Sequence, residues 1–152
     1  MTYDALLTEA EADGLIVEDV DMKCHDGLIC DNFIAIRKDL STSAEKICVL
    51  AEEMGHAKLT SGNILDQRDA GNRQQELKAR ILAYNKLIGL RGIADAFDHG
   101  CRNRYEIAEY LGVTEKFLDG ALKAYRAKYG CRVRLDNYLI RFIPHLDVVR
   151  ML

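Results

Sequence analysis

Glu52, Glu53 and His56 form the cluster in this chain whose types and spacing best suit work on a metal ion. A helix turns about 100° per residue, so His56 sits about 40° round from Glu52, and Glu53 about 100° round. All three side chains then fall on one quadrant of the helix. Glu52 and His56, at i and i+4, can hold one ion together. Glu53 is displaced enough to reach a water on that ion rather than the ion itself, which is the arrangement that metal-assisted hydrolysis needs. Catalytic zinc sites use three protein ligands and keep one position open. Glu76, at the start of a second helix, is the best candidate for the third. Ala79 and Ala83 follow it on the same face, and small residues there let two helices come close enough to share an ion. Gly55 leaves similar room on the first helix, at a propensity cost of about 1 kcal/mol.

The pattern E-E-x-x-H differs at its first position from H-E-x-x-H, in which two histidine ligands stand one turn apart beside a general-base Glu. Its spacing alone also fits an ordinary charged helix face. Its setting favours a site. Gly27 to Leu40 alternates in hydrophobicity around a turn signal at Asp31-Asn32 and predicts a β-hairpin. Thr42 and Glu45 have capping-box spacing, and Ile47, Leu50, Ala51 and Met54 recur at helical intervals, predicting a helix to about Lys58. Gly62 punctuates a polar, loop-like stretch to Gly71. A second long helix is expected from Asn72 to Ile88, with Leu77, Ile81, Tyr84 and Ile88 on one face. Shorter helices are expected over Thr2 to Ala12, Ile93 to His99, Tyr105 to Leu111, and from Thr114 to Tyr129, where Gly130 ends the last. Arg132 to Leu135 and Tyr138 to Phe142 flank Asp136-Asn137 as a second hairpin. The fold class is therefore α+β. The 152 residues suit a single domain, with a core over about residues 1–90 and a helical and hairpin extension over about 91–152.

Hydrophobic residues at 49% and charged residues at 30% are the composition of a folded rather than a disordered chain. A net charge of −3 argues against a sequence-independent grip on nucleic acid. No apolar run reaches the roughly 18 residues that span a bilayer. The N-terminus has neither a basic nor an apolar signal region. Five cysteines, an odd number, fit no disulfide framework, and reduced thiols in a cytoplasmic protein are expected.

The whole arrangement resembles the ImmA/IrrE family of metallopeptidases. The family pattern is a hairpin, a helix reading L-A-H-E-x-G-H and a later helix reading E-x-x-A-x-x-x-A. Here these stand as Leu50-Ala51-Glu52-Glu53-Met54-Gly55-His56 and Glu76-Leu77-Lys78-Ala79-Arg80-Ile81-Leu82-Ala83. The resemblance spans roughly Gly27 to Leu87. Gly62-Asn63-Ile64-Leu65-Asp66 and the basic run after it look like a branch borne by phages and mobile elements. The resemblance implies a zincin-like helical core with a small antiparallel sheet. It implies Glu53 as general base and His56 and Glu76 as metal ligands, with Glu52 in place of the first histidine. The metal would be zinc. A carboxylate-richer site is harder, which makes Mn²⁺ or another hard cation a rival, and a site without metal is the third alternative. Two carboxylates and one imidazole offset a divalent charge fully, so the acidity of the bound water is raised less than in a histidine-rich site. The substrate implied is a helix-turn-helix repressor, with no membrane and no direct nucleic-acid contact. The alternatives are a catalytically inactive relative that binds its partner as a regulator, and a DNA-binding module.

Other residues carry weaker signals. Cys24, His25 and Cys30 match no common zinc spacing and read as structural. Cys48, four residues before Glu52, is expected to pack inward. His99 and Tyr84 are both conceivable donors to an oxyanion, and the spacing does not choose between them. Glu106 to Thr114 resembles the first helix and turn of a helix-turn-helix. The next helix, however, opens with Glu115 and Asp119, where phosphates would have to lie. Arg126, Lys128, Arg132, Arg134 and Arg141 are the feature that supports nucleic acid, and an exposed hairpin face explains them as well.

Overall fold

The computed structural model describes residues 1–60 and 69–151. The chain divides into two compact units, Met1–Ala83 and Tyr84–Leu152.

The first unit opens with α1 (Tyr3–Ala12), capped by Thr2, whose hydroxyl accepts from the Ala5 N–H at 3.1 Å. Three strands follow, β1 (Ile16–Val20), β2 (Gly27–Cys30) and β3 (Phe33–Arg37). The predicted hairpin is β2–β3, with Leu28 opposite Ala35 and Cys30 opposite Phe33. Its two-residue loop holds Asp31 at φ +53°, a region that Asp enters more readily than most residues. The short apolar run at Leu15-Ile16-Val17 becomes a third strand. β1 pairs in parallel with β3, from Ile16–Phe33 to Val20–Arg37, so the sheet order is β1-β3-β2 and the sheet is mixed.

α2 (Ser43–Thr60) begins where the capping signal placed it. The Thr42 hydroxyl accepts from the Glu45 N–H at 3.1 Å. The return arm of the capping box differs: Glu45 Oε1 accepts from the Ser41 hydroxyl at 2.8 Å. Ile47, Leu50, Ala51 and Met54 are buried, as their spacing requires, and so are Ile34 and Ile36 of β3 and Leu6 and Ala10 of α1. Cys48 also faces inward, and all five cysteines are free thiols.

α3 (Asp69–Leu87) starts three residues before the expected Asn72 and ends one before Ile88. Glu76 consequently sits about two turns inside the helix rather than at its start. Leu77, expected on the apolar face, is 54% exposed, whereas Ala79 and Ala83 are 0% and 1% exposed. Close packing on α2 decides this. A Cβ on Gly55 would lie 2.4 Å from the Ala79 carbonyl oxygen, so at this level the inward face is the one with the smallest side chains, while Tyr84 farther along is buried as its spacing predicts. Gly62 to Asp66 lie outside the described residues.

The second unit contains the end of α3, then α4 (Gly89–Asp98), α5 (Arg104–Leu111), α6 (Glu115–Tyr129) and an antiparallel sheet of β4 (Arg132–Leu135), β5 (Tyr138–Arg141) and β6 (Asp147–Arg150), in that order. Gly89, at φ +65°, separates α3 from α4. Gly92 lies within α4. Asn103 and Thr114 cap α5 and α6, accepting from Glu106 N at 2.9 Å and Phe117 N at 3.0 Å. Gly112 ends α5 at φ +72°. The buried Tyr125 hydroxyl accepts from Gly89 N at 3.2 Å and donates to Asn85 at 3.0 Å, tying α6 to the α3–α4 junction. The second hairpin is β4–β5, with Asp136 at φ +52°. β6, which extends it to three strands, had no predicted counterpart.

Two glycine substitutions test the close helix approach. Gly55→Ala gains about 1 kcal/mol of helix propensity but forces a methyl into backbone, an overpacking cost of about 1–3 kcal/mol. It should lower stability in urea unfolding. Gly92→Ala should not: its Cβ would meet the flexible Leu111 side chain at 3.3 Å. Equal midpoints for the two variants would show that Gly55 is not a contact constraint.

Candidate active site

α2 presents Glu52, Glu53 and His56 on one side, all half-buried. The approach of α3 at Gly55 brings Glu76 to them. His56 Nε2 lies 2.8 Å from Glu76 Oε2, with the Glu76 side chain 50% exposed. One edge of this pair is thus open to solvent. Glu53 is confined from the sheet side. The backbone of Gly27, at the start of β2, lies over it: a Cβ there would stand 3.1 Å from Glu53 Cγ and 3.2 Å from its Oε1. Burial, and then the charges of Glu52 and Glu76, push the Glu53 carboxyl up from 4.5 to about 7.

The structure therefore places His56 and Glu76 in direct contact, and sets Glu53 among Glu52 and Glu76 closely enough for their charges to be felt. Among the described residues, no three His, Cys, Asp or Glu side chains are already gathered into a metal-holding group. Tetrahedral zinc ligands at about 2.0–2.1 Å from the ion stand roughly 3.3 Å from each other. Admitting an ion between His56 and Glu76 thus needs a separation of only about half an ångström.

Gly27 escaped the sequence reading. Only its absence of a side chain matters, and a lone glycine at a strand start gives no sign of the helix residue beneath it. The two conceivable oxyanion donors have other contacts. The Tyr84 ring packs edge-on to Phe117, 4.9 Å between centroids. His99 stacks on Tyr110 at 4.6 Å. Cys24 and Cys30 are exposed. No described helix is long and apolar enough to cross a membrane.

A small sheet packed on a helix that carries an acid pair and a histidine, with a second helix bringing another acid to that histidine, is a metallopeptidase-like α+β domain. The family model for Peptidase M78, the IrrE N-terminal-like domain, matches residues 14–123, and the chain belongs to that family. The match begins after α1 and ends within α6. No curated protein matches the chain.

The shift of Glu53 has a signed consequence for the metal-free protein. Between pH 4.5 and about 7 the folded carboxyl keeps a proton that the unfolded chain releases, so folding stability falls as pH rises through that window. Glu53→Gln removes this term. Chelator-treated Glu53→Gln should gain stability over the wild type as pH rises through that range, and the gap should level off above it. A gap independent of pH would mean that Glu53 is not buried among like charges.

Proposed function

We propose that this protein is a metal-dependent peptidase of the ImmA/IrrE type that cleaves a helix-turn-helix repressor of a phage or mobile element. Membership of a metallopeptidase family supports the reaction class. The observation that carries the reading is Glu53, a confined carboxyl with its pKa near 7, beside a His56–Glu76 pair. A general base works best when its pKa lies near the operating pH.

Glu52, His56 and Glu76 would hold the ion. One imidazole nitrogen and two carboxylates are donors suited to a borderline or hard divalent cation, so Zn²⁺ fits and Mn²⁺ is its rival. When bound, the ion supplies Lewis acidity that polarises a scissile carbonyl and acidifies water. Glu53 takes the proton from the attacking water and returns it to the leaving amine. A cation beside Glu53 favours its ionised form, which readies it to act as a base. The open side of Glu76 leaves an approach for the substrate chain.

The second reading, a regulator that binds the repressor without cutting it, draws on the replacement of a ligand histidine by Glu52 and on the contact already made between His56 and Glu76. Elemental analysis of protein purified without a histidine tag or chelator, beside Glu52→Ala and His56→Ala, separates the two. The peptidase reading expects about one equivalent of Zn or Mn, lost in both variants. It also expects Glu53→Gln to keep the metal while cleavage of a repressor encoded nearby falls by about 10²–10⁴-fold. Protein that holds no metal and takes up neither Zn²⁺ nor Mn²⁺, yet binds the repressor regardless of chelator and of Glu53→Gln, would establish the regulator.

A further inference from the structure

The second unit holds a concave site that the peptidase chemistry does not use. A cavity of about 260 Å³ opens between the C-terminal half of α6 and the segment joining β5 to β6. Its walls include Arg126, Phe142, Pro144 and Leu146, all beyond the stretch matched by the family model.

Its charge is uneven. Arg104, Lys123 and Arg126 line it against a single carboxylate, Asp119, with His145 on the rim of the β5–β6 segment. Asp119 is engaged by Arg104 at 2.8 Å. Asp147, close to His145, is engaged by Arg141. Lys123 and Arg126 have no ion-pair partner among the described residues. They stand at i and i+3 on one face of α6, a spacing at which like charges repel. An anion between them would remove that repulsion. The floor is apolar: Leu122 and Phe142 are 8% and 7% exposed, and Pro144 and Leu146 continue it.

We propose that this cavity binds a small molecule that joins a phosphate monoester to an apolar body. Two unanswered cations match a dianion. An arginine fork beside a lysine is a common phosphate-binding pair. The apolar floor suits a ring or short hydrocarbon group attached to the phosphate. The cavity is smaller than the roughly 300–1,000 Å³ of drug-sized ligand sites, so it admits a single ring. Its cations sit inside a concavity rather than along a ridge that could track a nucleic-acid backbone.

The test is calorimetric titration of the full chain with phenyl phosphate and with inorganic phosphate, in chelator so that no metal elsewhere on the chain takes up the anion. Phenyl phosphate should bind, and inorganic phosphate about tenfold more weakly for want of the apolar contact. The Lys123→Ala/Arg126→Ala double variant should lose at least about tenfold in affinity for phenyl phosphate. Both residues are exposed, and an unchanged circular dichroism spectrum checks the fold. Backbone amides of His145 and Leu146 should shift in NMR spectra on adding phenyl phosphate to the wild type. No heat of binding, equal affinity for the two phosphates, or full affinity in the double variant would overturn the proposal.

Discussion

The contact between Gly55 of α2 and the backbone of Ala79 on α3 is the constraint on which the candidate site depends. A side chain as small as a methyl at position 55 would fall 2.4 Å from a carbonyl oxygen. The two helices are therefore as close as backbone allows, and only at that distance does a histidine on one reach a glutamate on the other at 2.8 Å. Burying alanines gains little hydrophobic energy, since each contributes only about one methyl of apolar surface. The larger buried residues of the same unit are Leu50 and Met54 of α2 and Ile34 and Ile36 of β3. The small face of α3 lets that core close without a wedge.

Closeness of the helices also concentrates charge. Three carboxylates, Glu52, Glu53 and Glu76, share a region in which His56 contacts Glu76. The group that yields is Glu53, because burial under the Gly27 backbone and the charges of Glu52 and Glu76 all disfavour its ionised form. Its raised pKa is the cost of this arrangement in the absence of a cation. On the proposed reading, Glu52 in place of a histidine strengthens the attraction for a cation while blunting its acidity. The change trades water activation for binding, and it moves the preference towards harder ions.

Features written in local sequence were legible. Thr42 and Thr114 cap helices because a short oxygen side chain reaches an N–H two or three residues on, and that depends on no distant partner. Asp31-Asn32 and Asp136-Asn137 turn hairpins for an equally local reason. Glu53 and His56 share one helix, so the helical period sets their relation. Glu76 was legible through the small residues that follow it. What failed to show depends on partners far along the chain. β1 is only five residues and gains its identity by pairing in parallel with β3. β6 similarly needs β5. Leu77 belongs by hydrophobicity to the same stripe as the buried Tyr84, yet it is 54% exposed, because at the level of Gly55 the alanines face inward. Gly27 governs Glu53 by having no side chain, which no periodicity can reveal.

The cations of the second unit illustrate why a count of basic residues misleads. Arg91 is answered by Asp136 at 2.6 Å, Arg104 by Asp119, and Arg141 by Asp147. Arg91 and Arg150 also lie over the Tyr138 ring, each 5.8 Å from its centroid, and Lys128 lies 5.3 Å over that of Tyr129. Arg132 and Arg134 alternate outward along β4, as an exposed hairpin face requires. A basic surface that binds a polyanion has to present many unanswered charges along one track. Here Arg91, Arg104 and Arg141 are answered locally, and the acids Glu115 and Asp119 open the helix that would have to enter a groove. Lys123 and Arg126, which have no ion-pair partner among the described residues, line a cavity with an apolar floor. Charge of that extent matches a small dianion better than a strand of phosphates.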